Sequence, residues 1–277
     1  MNHSTCLAAG TESLLVETAT LPQLPRWDDL GCWPEGQWRW PYLTSSDVDV
    51  VLAAARRLGG RPGVQFVGAD CVIDLAGTTI DDHVAALPTR QRRANFRREE
   101  RRFADSGLEI RPVGLADHWD RLGPLLAAAQ RGYGRRYAAD ELSARAVVFA
   151  CFDGDLIVGF SLAFERGTEL ALRVVDLDCD RPAEADVYAQ LAVHAPLRYC
   201  YQRGLRRLQL GTELYQAKCR RGARPRPLWA VTSSPSPDAG SHTSAIRRIA
   251  AALPAREAAS FATQAEQEWR TWTWFVD

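Results

Sequence analysis

The sequence predicts an α/β protein, a mixed β-sheet with helices on its faces, and three observations carry that prediction. From Leu108 to Thr232 the apolar pattern switches repeatedly between strand and helix periods, in the order β-α-α-β-β-β-α-β-α-β. Two turn signals, Asp153–Gly154–Asp155 and Arg166–Gly167–Thr168, make the three middle strands consecutive hairpins. A long helix and a further strand then return to the same sheet, which makes the sheet mixed and covers its faces. With 277 residues, 46% of them apolar, the chain can fill the core of one large domain or of two small packed ones.

The elements follow in order. The first 45 residues are rich in Pro and Trp and read as irregular, aromatic-anchored chain. From Asp47 to Leu58 apolar residues recur at helical spacing, behind a Ser/Asp start and before the stop at Gly59–Gly60. Two short strands are expected from Val64 to Val67 and from Cys71 to Leu75. Thr79 to Gly107 reads as a helix pair, opened by Thr and Asp capping signals and closed by glycine. Leu108 to Val113 is a strand, and Ala116 to Gln130 and Ala138 to Arg145 are helices. The hairpin strands run from Val147 to Phe152, Leu156 to Phe164 and Leu170 to Leu177. A long helix from Ala183 to Arg203 stops at Gly204, ahead of a strand from Arg207 to Leu210, a short helix from Tyr215 to Arg221 and a strand from Leu228 to Thr232. In the tail, SSPSPDAGSH at 233–242 reads as a flexible linker. An alanine-rich helix follows, and the alternation in WRTWTWFVD suggests a last strand.

Composition excludes several classes of function. Lys+Arg and Asp+Glu both number 34, so no whole-molecule field draws the chain to a polyanion or a membrane, and any such contact is local. No stretch approaches the roughly 18 apolar residues that a membrane span needs. The first residues lack a basic segment followed by an apolar core, so a cytoplasmic location is expected. Cysteines at 6, 32, 71, 151, 179, 200 and 219 include no CxxC and fall mostly in apolar runs, as reduced, buried thiols do. The histidines are scattered, without HExxH, and no metal site is expected.

Two features stand out from this background. Lys218 is the single lysine among 34 basic residues. Where the composition favours arginine, a lysine is either chance or the mark of a site needing a compact, flexible ammonium. Between Arg90 and Arg102 there are seven arginines against two glutamates, with Phe96 and Phe103 on one apolar stripe. One reading is a solvated helix with Glu99 and Glu100 paired to arginines three or four positions away. The other is a phosphate-facing surface.

The element order, with the segments LPTRQRRANFRREERRFADSG and LGTELYQAKCRRGA, resembles the FemAB-like branch of the GNAT acyltransferase superfamily, over about Pro41 to Thr232. The resemblance implies a bacterial acyltransferase with a complete GNAT unit at 108–232, packed on a shortened GNAT-like unit at 1–107. A linker with a C-terminal helix and strand then occupies 233–277. FemAB-type enzymes are similar to two GNAT domains in tandem and use aminoacyl-tRNA to add amino acids to an amine. Their oxyanion-stabilising lysine follows the late strand in a Lys-x-x-x-Gly pattern. Here the matching residues are Lys218 and Gly222, so the resemblance implies that Lys218 is catalytic.

CoA-dependent members hold the pyrophosphate on backbone N–H groups of a glycine-containing loop after the fourth strand. The equivalent stretch here, DLDCDRPAEAD at 176–186, has no glycine and five acidic residues, with Arg181 alone to offset them. The expected donor is therefore aminoacyl-tRNA, with no separate cofactor, and acyl-CoA is the alternative. Arg92, Arg93, Arg97, Arg98 and Arg101 are expected to face the RNA phosphates. Asp176 and Asp178 would receive the ammonium of the aminoacyl group or of the acceptor, unless they cap the next helix. Tyr133, Tyr188 and Tyr215 are candidate pocket walls, with core packing as the alternative. The expected acceptor is the amine of a small molecule or peptide. Its proton goes to an aspartate of this stretch, to His194 or to the substrate, although His194 lies in an apolar helix and reads as core. Cys219, beside Lys218, is a weaker candidate nucleophile. A third reading is an RNA-binding protein without catalysis on the same scaffold.

Overall fold

The structure, a computed structural model, describes residues 39–130, 146–177, 186–233, 236 and 238–272. In chain order the elements begin with β1 (Arg39–Leu43), α1 (Ser45–Leu58), β2 (Gly63–Asp74), α2 (Ile80–Ala86), α3 (Arg90–Ala104) and β3 (Glu109–Val113). Next come α4 (Trp119–Gln130), β4 (Ala146–Asp153), β5 (Leu156–Arg166) and β6 (Glu169–Leu177). α5 (Val187–Ala189) passes through a π-helical stretch, Gln190–His194, into α6 (Ala195–Gln202). The remainder is β7 (Arg207–Gln209), α7 (Tyr215–Arg220), β8 (Arg224–Thr232), α8 (Ala239–Ala252) and α9 (Ala255–Trp272).

The strand order is β1-β8-β2-β7-β6-β5-β4-β3, an eight-stranded mixed sheet flanked by helices, as the sequence predicts. The chain forms two compact units, one from Ile73–Leu210 and one from Leu21–Val72 with Gly211–Asp277, and β2 contributes to both.

In the first unit β3 to β6 are joined antiparallel, while β6 and β7 run parallel. The parallel register covers Glu169↔Arg207, Leu170↔Leu208 and Ala171↔Gln209, and β6 continues to Leu177 without β7 beside it. One face of the sheet packs on α4 through Leu122, Leu126, Val148, Phe160, Leu162 and Val174. Each such side chain, fully buried, contributes about 1.5–3 kcal/mol. On the second unit's sheet, Trp229 is fully buried among Val48, Val51, Leu52, Trp269 and Trp272. Indole N–H groups there are satisfied by carboxylates: Trp229 Nε1 donates to Glu268 at 2.8 Å and Trp272 Nε1 to Asp49 at 2.7 Å.

Several expectations change. The end of the Pro/Trp-rich segment forms β1, an edge strand whose register on β8 shifts between Trp40 and Leu43, where Tyr42 has φ 59°. Val64 to Leu75 holds one strand with a register shift at Phe66/Gly68, where two were expected. α8 starts inside the segment read as a linker, because the Asp238 carboxylate caps Ser241 N–H at 2.9 Å. Trp269 and Trp272 continue α9, with Phe261, Ala265, Trp269 and Trp272 buried at helical spacing, while the rest of the segment expected as a last strand, 273–277, lies outside the described residues. The helix expected from Ala138 to Arg145 lies outside the described residues.

Candidate functional site

In the second unit the segment Gly211–Thr212–Glu213–Leu214 leads into α7. Its backbone is left-handed at Gly211 (φ 74°), Glu213 (φ 62°) and Leu214 (φ 46°). For L-residues such as Glu213 and Leu214 this costs roughly 1–2 kcal/mol each. Lys218 holds the segment in place. Its N–H donates to Leu214 O at 3.2 Å, and its side chain turns back so that Nζ donates to Gly211 O at 3.1 Å and to Thr212 O. Cys71 N–H of β2 donates to the same Gly211 carbonyl at 3.1 Å. Gly222, φ 103°, ends the turn after α7.

Lys218 is 5% exposed, and the backbone carbonyls that accept its N–H groups stabilise its positive charge. Burial lowers its pKa, while the Cys71 thiol, Asp70 and Glu213 pull it back up. Cys71 is raised well above its ordinary value, first by its hydrogen bond with Cys219 and then by burial. Burial likewise holds the half-buried Glu213 carboxyl above its usual range, offset in part by Lys218. Among the described residues that carboxyl makes no hydrogen bond and no ion pair. Leu214 beside it is 48% exposed. Tyr215 packs against Ala69, Leu253 and Phe261, and burial pushes its phenol up to about 12.

A different arrangement occupies the first unit. The glutamates of α3 turn toward the helical run that carries His194 and Arg198. Glu99 Oε2 lies 2.9 Å from His194 Nε2, and Glu100 Oε1 lies 3.2 Å from Arg198 Nη1 and 3.7 Å from His194 Nδ1. Gln190 joins them by accepting from Arg198 at 3.1 Å, and Phe96 packs on the His194 ring at 4.0 Å between centroids. His194, then Arg198 and Arg97, hold the Glu100 carboxyl below its ordinary range against the opposing effect of burial. The π-helical stretch carries both Gln190 and His194 into this cluster. With both carboxylates turned inward, Arg97, Arg98 and Arg101 are exposed and make no ion pair among the described residues.

The sequence-selected residues therefore fall into distinct places. Lys218 and Tyr215 lie together in the second unit. Arg97, Arg98 and Arg101 form an exposed basic face of α3, whereas Arg92 and Arg93 are half-buried and Arg93 Nη1 donates to Leu87 O at 2.7 Å. Asp176, at the end of β6, accepts the Leu177 N–H at 3.0 Å, and Tyr188 is half-buried in α5. Tyr133 and Asp178 lie outside the described residues. His194 is fully buried, the core histidine its apolar helix suggested, and Cys219 is also fully buried, which removes the nucleophile role. Glu213 had no signal in the sequence, because neither its backbone conformation nor its burial follows from local pattern.

No protein-family model matches the chain, and no curated relative matches it. Among solved structures it is similar to the C-terminal domain (DUF2156) of a putative lysylphosphatidylglycerol synthetase from Agrobacterium fabrum, with TM-score 0.54 and 13% identity over 72% of this chain and 68% of that one. It is also similar to L-PGS from Bacillus licheniformis, with TM-score 0.53 and 11% identity over 70% of this chain and 66% of that one. This chain thus spans about two thirds of the length of each. A GCN5-related N-acetyltransferase from Kribbella flavida matches at TM-score 0.37 and 10% identity, over 73% of this chain and 81% of that one. At these identities the likeness is one of fold, a mixed α/β sheet flanked by helices.

Proposed function

We propose that the protein is an amide-forming acyltransferase on FemAB-like lines, taking an aminoacyl group from aminoacyl-tRNA and placing it on the amine of a small molecule or peptide. The observation that carries the donor is the face of α3. Its carboxylates hydrogen-bond His194 and Arg198, so Arg97, Arg98 and Arg101 present exposed positive charge, with Glu100 acting on Arg97 only through space. Such a face suits the phosphates of an RNA acceptor arm. The likeness to a structure named for lysylphosphatidylglycerol synthesis supports an aminoacyl cargo. Against a CoA pyrophosphate, the residue before α5 is Asp186, whose carboxylate pairs with Arg102 at 3.5 Å and places negative charge near that helix start.

In this reading Lys218 offsets the negative charge that develops as the amine attacks the aminoacyl carbonyl. Two of its three N–H donors rest on the Gly211 and Thr212 carbonyls, and the third serves the oxyanion. The product is an amide, and the 3′ oxygen of the tRNA leaves. Purified protein with a panel of amines tests this, using radiolabelled aminoacyl-tRNA pools and acetyl-CoA as competing donors. RNase-sensitive amide product is the expected result. Product from acetyl-CoA alone overturns the donor assignment, and tRNA binding without product favours the non-catalytic reading.

A further inference from the structure

Resting on the acyl-transfer reading, we propose that Glu213 is the proton acceptor for the attacking amine, one side chain away from the lysine that meets the oxyanion. The geometry of one short segment carries this. Three of the four residues from Gly211 to Leu214 are left-handed, and the conformation is fixed from several directions: by Lys218 Nζ on two carbonyls, by Cys71 N–H on one of them, and by the first turn of α7. Backbone strain of this kind persists only where the surroundings over-determine it. What the strained backbone displays is a carboxyl that is half-buried and yet has no hydrogen-bond or ion-pair partner among the described residues. The carboxyl is thus left open to solvent and to an incoming substrate, whereas Glu99 and Glu100 are engaged by His194 and Arg198.

The other candidate bases are committed. His194 is fully buried between two carboxylates, and Asp176 accepts the backbone N–H of Leu177. Burial raises the Glu213 carboxyl from its ordinary value, which moves it toward the working range of a general base. The proton accounting closes on this chain and its substrates. The acceptor ammonium gives one proton to a Glu213 carboxylate oxygen, and the neutral amine forms the C–N bond to the aminoacyl carbonyl carbon. The C–O bond to the tRNA breaks as the oxyanion collapses, and the second nitrogen proton passes to the leaving 3′ oxygen. Glu213 then returns its proton to solvent.

The test is the pH dependence of kcat/KM for wild type, Glu213→Gln and Glu213→Asp, with aminoacyl-tRNA pools and a simple primary amine, and with thermal melts of all three. Glu213→Gln is expected to lower kcat/KM by about 10²–10⁴-fold. It should also erase the limb that rises at acid pH while keeping the limb set by the acceptor amine. Glu213→Asp should keep the acid limb at reduced rate, and the melts should lie close together because the carboxyl makes no hydrogen bond or ion pair among the described residues, only a through-space attraction to Lys218. Wild-type activity with an unchanged rate in Glu213→Gln overturns the inference alone, as does a reduced rate with the acid limb intact. A wild type inactive with every donor brings down the acyl-transfer reading and this inference with it.

Discussion

Each compact unit buries a group of charges, and the two groups are built on opposite plans. Around His194 the side chains answer one another: Glu99 with the imidazole, Glu100 with Arg198, and Arg198 with Gln190. Around Lys218 the ammonium is held by backbone carbonyls, the adjacent carboxyl of Glu213 has no partner among the described residues, and the backbone between them is left-handed. Mutual pairing offsets the desolvation of the first group, and its effect is to fasten α3 against the helical run that carries Gln190, His194 and Arg198. The second group carries backbone strain beside a carboxyl that stays open to solvent. The lesson is that strain in the backbone between two opposite charges, more than the number of buried charges, sets the second group apart from the clamp around His194.

The largest effect that would sharpen this contrast is on Lys218. Replacing it with alanine removes the oxyanion donor and should lower kcat by about 10²–10³-fold. Lys218→Arg should move in the same direction, because a planar guanidinium does not reproduce a compact ammonium resting on two neighbouring carbonyls. Single-turnover amide formation measures both. An unaltered rate in folded Lys218→Ala would reduce the lysine to a clamp and erase the difference between the units.

The converse applies to His194. His194→Ala breaks a buried pair, removes the hydrogen bond between His194 and Glu99 and opens a void against Phe96, so a loss of about 3 kcal/mol is expected in urea unfolding. The rate per folded molecule should hold. A variant that is stable but slow would mean that the paired cluster also has a part in the chemistry.

Much of the scaffold was legible before the structure, because its signals are local. Gly154 and Gly167, both left-handed, close the hairpins that join β4, β5 and β6. Lys218 was conspicuous through composition alone. What escaped depends on distant partners. β1 is a strand because β8 supplies its ladder, and a Trp/Pro-rich stretch carries no two-residue pattern of its own. Trp269 and Trp272 belong to a stretch read as a strand until Phe261 and Ala265 are counted with them. The inward turn of Glu99 and Glu100 is set by His194 and Arg198, some 95 and 98 residues away in sequence, so a helix-only view pairs them with the wrong arginines. Glu213 is the extreme case, since its conformation is imposed by a lysine side chain from the next helix.

A smaller effect is expected on α3. Replacing Arg97, Arg98 and Arg101 together with alanine should leave stability almost unchanged, or slightly raised, because Arg97 and Arg101 are like charges one turn apart and such pairs cost about 0.2–0.5 kcal/mol. Binding of tRNA should weaken, and the slope of log affinity against log salt should become shallower by about two to three if each arginine meets one phosphate. Filter binding over a range of salt concentrations measures this. An unchanged slope would remove α3 from the RNA surface and leave its bare arginines as solvated charge.

The smallest effect separates the units by pH. His242 is 2% exposed and stacks on Trp269 with ring centroids 3.5 Å apart. Burial lowers its pKa from the ordinary 6.5, with the Val64 backbone and Asp238 opposing in part. A histidine lowered on folding takes up its proton more readily in the unfolded chain. The stability tied to it is therefore complete above pH 6.5 and declines as pH falls below that value. Glu100 has the opposite sign: its depressed carboxyl contributes stability that is present above its ordinary 4.5 and is lost as pH falls through its lower folded value. Urea midpoints measured from pH 8 downward should accordingly drop in two stages, the upper from His242 and the lower from depressed carboxyls such as Glu100. His242→Phe keeps a stacking ring, removes the titration and should abolish the upper stage alone. Persistence of that stage in the variant would assign the upper titration to a different group and leave the tryptophan core of the second unit insensitive to protons.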